Sequence, residues 1–378
     1  MATSEQLPEG AVVAPDLAEV VGRDGPFLTI HLTTRSDIEN AAERVQQRWR
    51  TLRGDLGDRG VPEKALAHLD PAIEEAHLRG NGLVAVVTAD GIAHVEHGPV
   101  PPGPLDEGWW EPAPRLRKVI GWRQSAPPYV VVLADRRGAD LYAFLHGPEE
   151  HADVEREVDT DLFPLRKVGP GGWSQRRFQD RAENNWEENA ENVTEAAARL
   201  ARRVHARLIV LAGDVRTVAM IKDDFPKELA GRIESVSGER PWEGSGGTIP
   251  DEVGDLVRSL IERETDALLE RFREERGQGD LASEGVGRTV AALSSGQVAV
   301  LLLQDDPTDD RPLWIGRDPA RLATSEQRLS EFGVEAIGTV PAGEAMIRAA
   351  LATSAGIRIV HAGAGLADGV GALLRWST

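Results

Sequence analysis

The chain has 378 residues, of which 41% are hydrophobic and 28% charged, the balance of a folded globular protein long enough for two or three domains. It contains no cysteine, which excludes disulfides, thiolate metal sites and cysteine nucleophiles together and fits a reducing compartment. The net charge of −19 argues against a protein that coats nucleic acid, because phosphate binding needs local positive charge.

The opening residues Met1–Gly10 lack the basic start and apolar run of a secretory signal. No apolar stretch approaches the ~20 residues of a membrane span. The expectation is a soluble, cytoplasmic protein. Phe27–Thr34 alternates and is β-branched, so it predicts a strand. Asp37–Leu52 follows with helical spacing of Ile38, Ala41, Ala42, Val45, Trp49 and Leu52. A second helix is expected over Pro62–Leu78, with proline in its first turn. Leu83–Thr88 and Ile92–His97 flank Ala89-Asp90-Gly91, a hairpin signal. The proline-rich Pro99–Pro104 and Pro112–Pro114 read as loops, and Ala126-Pro127-Pro128 as a boundary.

A second block opens with strands Tyr129–Ala134 and Asp140–Leu145. A long polar connection, Phe163–Gln179, carries Gly169-Pro170-Gly171-Gly172; an irregular segment of this length inside a compact domain is commonly functional. An amphipathic helix follows, with Trp186, Ala190, Val193, Ala197, Leu200 and Val204 on one face. Leu208–Ala212 reads as a buried strand, Gly238–Pro250 as a loop, and Asp251–Arg276 as a long helix. A third block runs helix Val286–Leu293, strand Val298–Leu303, strand Val334–Val340, helix Gly343–Leu351, strand Ile357–His361 and the terminal Gly369–Trp376. This alternation predicts a small α/β/α sandwich. The expected domains are 1–126, 127–280 and 281–378.

Charge is unevenly placed. From Pro164 to Arg181 there are five basic residues (Arg166, Lys167, Arg176, Arg177 and Arg181) against one acid, whereas Asp180–Glu195 holds six acids and one base. A basic tip on an acidic body suits one narrow RNA site; the plainer reading is a solvated loop and a solvated helix face.

Three stretches, one per block, carry a family resemblance. Gly171-Gly172-Trp173-Ser174-Gln175-Arg176-Arg177-Phe178 resembles the Gly-Gly-Gln-Ser-x-x-Arg-Phe loop of the archaeal and eukaryotic class-1 peptide release factors and Pelota, and the asparagines that follow (Asn184, Asn185, Asn189, Asn192) match that family's helix start. Gly285–Asp306 and Gly369–Trp376 resemble its C-terminal segments. Asn40-Ala41-Ala42-Glu43-Arg44-Val45 falls where release factors carry Asn-Ile-Lys-Ser-Arg-Val, and Asn81-Gly82-Leu83-Val84 has a counterpart as well. The chain looks most like the bacterial branch, which includes ribosome hibernation factors of the Balon type and proteins described as peptidyl-tRNA hydrolases.

The resemblance implies an N-terminal α/β domain of the decoding-region type, a ribonuclease-H-like central domain, and a C-terminal α/β/α domain similar to kink-turn-binding ribosomal proteins and of the GTPase-docking type. It implies the ribosomal A site as partner, elongation factor Tu or another translational GTPase as a second partner, and no cofactor. Residues Gly171 to Gln175 would form the peptidyl-transferase-centre loop. Glycines let the backbone approach crowded RNA without Cβ atoms. The third position, however, is Trp173, which keeps a backbone N–H but is far larger than glutamine, and it offers a ring for base stacking or an anchor for the loop. Gln175 is the one candidate catalytic residue, and two residues of extended chain displace it by roughly 6–7 Å from the family position. Arg166, Lys167, Arg176, Arg177 and Arg181 are candidate phosphate contacts, with Arg44 and Arg48 as contacts to the decoding region, alongside Arg50 and Arg53. Ala41-Ala42-Glu43 replaces the stop-codon-reading Ile-Lys-Ser, so codon reading is not expected.

Other candidates are weaker. His94-x-x-His97 lies on a strand, where the two side chains face opposite ways. Asp223-Asp224, Asp305-Asp306 and Asp309-Asp310 are capable of holding a divalent ion or of simple solvation, and no metal site is expected. No phosphate-binding or nucleophile-elbow motif occurs. Two functions are left open: an A-site hibernation or stress factor without peptide release, and a peptidyl-tRNA hydrolase in ribosome rescue. A free-standing RNA-binding or structural protein is a third.

Overall fold

The computed structural model describes residues 8–34, 40–78, 81–99, 106–135, 138–145, 154–159, 190–237, 252–278, 281–306 and 308–377. In chain order the N-terminal elements are α1 (Pro15–Val21), β1 (Phe27–Thr33), α2 (Ala41–Asp58), α3 (Glu63–Ala67), α4 (Asp70–Glu75), a 3-10 turn (Ala76–Leu78), β2 (Gly82–Thr88), β3 (Gly91–Gly98), β4 (Glu107–Glu111) and α5 (Arg117–Ser125). Then come β5 (Tyr129–Ala134), β6 (Gly138–Phe144), β7 (Val154–Asp159), helix α6 over residues 190–203, β8 (Leu208–Gly213), α7 (Val215–Asp224), α8 (Lys227–Ala230), β9 (Ile233–Ser235) and α9 (Glu252–Gln278). The C-terminal elements are β10 (Ala282–Glu284), α10 (Val286–Ser294), β11 (Val298–Gln304), β12 (Pro312–Gly316), β13 (Leu322–Ala323), α11 (Glu326–Glu331), β14 (Ala336–Pro341), α12 (Ala342–Ala352), β15 (Gly356–Val360) and β16 (Val370–Leu374).

These elements form two compact units, one of residues 1–124 with 264–378 and the other of residues 125–263. The first and third blocks of the sequence therefore lie in one unit, because they share a core: Leu17, Val86, Ile120 and Trp122 cluster with Leu301, Ile315, Met346 and Ile357. The structure adds several short elements to those expected, among them β4, α5, β7, α7, β12 and α11. The single helix expected over Pro62–Leu78 is instead α3, α4 and the 3-10 turn. Pro71 lacks an N–H and cannot continue the helix from α3; it sits in the first turn of α4, where no N–H is needed.

In the first unit the N-terminal sheet has the order β3-β2-β1-β4, and its three ladders are antiparallel. Alternation divides its residues between two cores. Leu28, Ile30, Leu83, Ala85 and Val87 pack on Val45, Trp49, Leu52 and Leu56 of α2; Phe27, Val84 and Val86 pack toward α5 and the shared core. The C-terminal block holds a four-stranded sheet, β10-β16-β11-β15, and a three-stranded one, β13-β12-β14. Helix α12 is buried from Ala342 to Leu351. Its small residues allow contact on all sides, and it carries two charged groups inward, Glu344 and Arg348.

The second unit is a five-stranded sheet, β7-β6-β5-β8-β9. β5, β8 and β9 are parallel, while β6 and β7 join antiparallel. One face, with Val130, Val132, Ile209 and Leu211, packs on α6 and α7. The other, with Tyr129, Val131, Leu208 and Val210, packs on Val253 and Val257 of α9. Both faces are covered, which is why β5 and β8 read as continuous apolar runs.

Candidate functional site

The peptidyl-transferase-centre loop expected at Gly171, Gly172, Trp173, Ser174 and Gln175, and the basic residues Arg166, Lys167, Arg176, Arg177 and Arg181, lie outside the described residues. In the chain they fall between β7, an edge strand of the second unit, and α6. The long loop expected over Gly238–Pro250 lies outside them too.

The N-terminal candidates are described. Asn40 caps α2 with a left-handed backbone, φ 65°, a conformation that asparagine tolerates better than most residues. Val45 and Trp49 turn into the core while Ala42, Glu43 and Arg44 face solvent. Glu43 lies in the first turn, where its charge complements the helix dipole. Arg44, Arg48, Thr51 and Asp55 recur at spacings of three and four along one stripe. With Gln47, Leu52 and Asp106 they line an open groove of about 530 Å³.

The charge of this groove is largely balanced. Arg48 Nη1 donates to Asp106 Oδ2 at 2.8 Å, and Asp106 Oδ1 accepts the backbone N–H of Thr33 at 2.9 Å. Asp106 thus ties α2 to β1 and neutralises Arg48. Arg53 is held by Asp70 and Glu63. Arg44 is exposed and has no ionic partner among the described residues, and Arg50 is exposed with Nε on the carbonyl of Gln46. Among the described residues the exposed face of α2 therefore offers two uncompensated guanidinium groups, Arg44 and Arg50, rather than four.

His94 and His97 pair across the ladder with Val86 and Leu83, which belong to different cores, so the two imidazoles face opposite sides of the sheet. His94 contacts Glu96 at 3.1 Å. Among the described residues no three metal-ligating side chains converge. Asp306 and Asp309 line a second groove, of about 430 Å³, with Arg117, Arg311 and Asp368. Each carboxylate is already engaged. The Thr308 hydroxyl, 2.7 Å away, holds Asp306 below the usual carboxylate range, and Arg311 does the same for Asp309.

Sequence reading missed the group that organises this second groove. Glu344, on α12, accepts the backbone N–H groups of Leu116 at 2.7 Å and Arg117 at 3.2 Å, two of the donors left unpaired at the start of α5. Burial pushes its carboxyl up. Arg117 donates onward to the carbonyls of Gln304 and Asp306. A glutamate serving a helix N-terminus more than two hundred residues away leaves no local signature.

Residues 128–278, nearly the whole of the second unit and the chain beyond it to the end of α9, match the model of the bacterial archaeo-eukaryotic release factor family 2. The chain is 25% identical over 370 residues, 95% of either length, to an uncharacterized protein of Mycobacterium tuberculosis. Among solved structures it is similar to the Pelota of Archaeoglobus fulgidus (14% identity, 98% of this chain and 94% of that one, TM-score 0.33). It is also similar to a ribosome-bound archaeal Pelota described together with ABCE1 (12%, 97% and 95%, TM-score 0.41).

Proposed function

With residues 128–278 belonging to the bacterial branch of the archaeo-eukaryotic release factors, we propose that this chain works on the ribosome, where it occupies the A site as a hibernation or stress factor and releases no peptide. The observation that carries the reading is the family match itself, which spans the Gly171–Phe178 loop. Trp173 supports the finer part. Release needs a small, water-excluding side chain beside the ester, with its backbone N–H placed for the oxyanion. An indole there fills the space a nucleophilic water would need and offers a face for a nucleotide base. On this reading the middle domain is ribonuclease-H-like, the C-terminal block docks a translational GTPase such as elongation factor Tu, and the protein is cytoplasmic. No described helix is long and apolar enough to cross a membrane.

A second reading rests on Gln175. It supplies the family's amide two residues late, and a loop that shifts by that distance would make the protein a peptidyl-tRNA hydrolase in rescue. Trp173→Ala and Gln175→Ala separate the two. For an occupying factor, Trp173→Ala weakens co-sedimentation with 70S particles by about 1–3 kcal/mol, one base stack, and Gln175→Ala leaves binding intact. Wild type shows no peptide release above the rate without protein. Release by wild type that disappears in Gln175→Ala while binding persists would replace the first reading with the second.

A further inference from the structure

The three-stranded sheet β13-β12-β14 leaves one edge open. β14 pairs with β12 on one side only, and the ladder fixes which of its backbone groups look outward. Ala342 N–H donates to the carbonyl of Arg311 at 2.7 Å. Next along the ladder Pro312 faces Pro341; neither has an N–H, so this pair is not hydrogen-bonded. Bonded and unbonded pairs alternate in an antiparallel ladder. Leu313 and Val340 therefore exchange bonds, whereas Trp314 and Thr339 do not. The N–H and carbonyl of Thr339 point away from β12, and Thr339 is exposed.

The other sheet edges among the described residues are closed to pairing. β9, β10 and β13 have three residues or fewer. β15 is bonded along its edge by Val12 and Gln124. β4 carries Glu107 and Glu111 and gives the Gly108 carbonyl to Arg59. β3 carries His94, Glu96 and His97, and β7 reads Val-Glu-Arg-Glu-Val-Asp. Short strands, charges and covers are what keep an edge from pairing with another chain. β14, Ala-Ile-Gly-Thr-Val-Pro, has no charged residue. A bulge at Ile337 and the terminal Pro341 shorten its usable edge, which leaves room for a short guest and none for a long ladder.

The surroundings indicate the chemistry of that guest. Phe332, in the turn from α11 into β14, is 63% exposed, and Ile337 is 40% exposed. Glu331 and Glu335 stand on either side of Phe332 in the chain; both are exposed, and neither has an ionic partner among the described residues. Glu326 and Arg328, on α11, offset each other in charge. The remaining arginines of this sheet are matched: Arg317 by Asp24, Arg321 by Asp318, and Arg311 by Asp309. The open edge is therefore uncharged, apolar at its start and acidic on its flank.

We propose that the outer edge of β14, with Phe332 and Ile337, docks a short extended segment of a partner protein in which basic and apolar residues alternate, adding it to the sheet as a strand. Thr339 exchanges two backbone bonds with the guest. The guest's apolar side chains meet Phe332 and Ile337, and its cations meet Glu331 and Glu335. A second copy of this chain is the poorer occupant, because it brings the same acids and a net charge of −19. The inference does not depend on the ribosomal reading.

The test is fluorescence anisotropy of a labelled peptide of alternating lysine and valine, about eight residues long, titrated with the full chain, with backbone hydrogen exchange read at saturation. Binding weakens as salt rises and protects the Thr339 amide, which has no partner in the ladder. Thr339→Pro removes the outward N–H without removing a ladder bond, and it weakens binding roughly tenfold or more. Phe332→Ser/Ile337→Ser leaves the backbone untouched and loses a similar factor. Glu331→Gln/Glu335→Gln removes most of the salt dependence. The proposal is overturned if wild type does not bind the peptide, or if both the proline and the double serine variants bind equally, since the peptide would then be held by the acidic surface at large. Equal binding of an alternating glutamate and valine peptide overturns it as well. So does concentration-dependent self-association in sedimentation that Thr339→Pro abolishes, which would give the edge to a second copy.

Discussion

The side-chain amide of Gln124 pairs with both backbone groups of Ile359: Nε2 donates to the carbonyl at 2.7 Å, and the amide oxygen accepts the N–H at 2.8 Å. Gln124 thus behaves as one residue of an added strand on the outer edge of β15. Two residues earlier, Ile357 exchanges the same two bonds with Val12. An open edge is a template for unwanted pairing, and here it is covered by the last turn of α5 and the N-terminal segment. Gln124→Ala should cost about 1–3 kcal/mol, because it leaves a partly buried donor and acceptor unmade. Hydrogen exchange at the Ile359 amide is the measurement, and protection equal to wild type would show that water replaces the glutamine at no cost.

Glu344 gives a pH signature. Burial raises its carboxyl above the ordinary 4.5, so the folded state holds a proton that the unfolded chain has lost. Its contribution to stability is fully present below pH 4.5 and is lost as pH rises through the folded value. Glu344→Gln should remove the loss across that window while keeping an acceptor for Leu116 and Arg117. Glu344→Ala, which strands both N–H groups, should cost about 2–4 kcal/mol. Urea melts of wild type and both variants from pH 4 to 8 read the difference directly; parallel curves for wild type and Glu344→Gln would remove the carboxylate from this account.

His31 acts in the opposite sense. It is buried on β1, edge-on to Trp109 with ring centroids 4.8 Å apart. Burial, with Lys118 and Arg115 nearby, holds the imidazole neutral well below its ordinary 6.5. Its contribution is present above 6.5 and falls as pH drops below it, since the unfolded chain then takes up the proton first. Over that window the slope is at most about 1.4 kcal/mol per pH unit. His31→Phe should remove the slope and retain the packing; an unchanged acid limb in its melting curves would mean that another group titrates there.

Gly213 closes β8 with φ 130°, and a Cβ added to it would lie 1.8 Å from the carbonyl oxygen of Ala134. The obstacle is backbone in the adjoining parallel strand, so no side chain can move aside. Gly213→Ala should destabilise the second unit by more than about 3 kcal/mol, read as loss of its melting transition. The first unit, residues 1–124 with 264–378, should keep its own; a wild-type melting profile would mean that the strand end relaxes.

The sequence by itself determined the regular elements whose burial is one-sided or complete. The alternation of Phe27–Thr34, the stripe of Val45, Trp49 and Leu52, and the apolar runs at Tyr129–Ala134 and Val298–Leu303 are local patterns that a pleated strand or a 3.6-residue helix repeats. The resemblance around Gly171-Gly172 was likewise legible in consecutive residues of the sequence. Tertiary structure decided what depends on distant partners. Asp106 cancels Arg48 from 58 positions away. Glu344 caps α5 from 228 positions away. Arg358, fully buried, is satisfied by Thr265 and the carbonyl of Gly10. Blocks one and three close on one core although some 140 residues of other chain lie between Gln124 and Glu264. A charge or an amide is interpretable only with its partner, since removing it from water costs several kcal/mol unless that partner is in place. Periodicity along the chain reports which side of an element is dry, and it carries no record of which distant group comes to meet it.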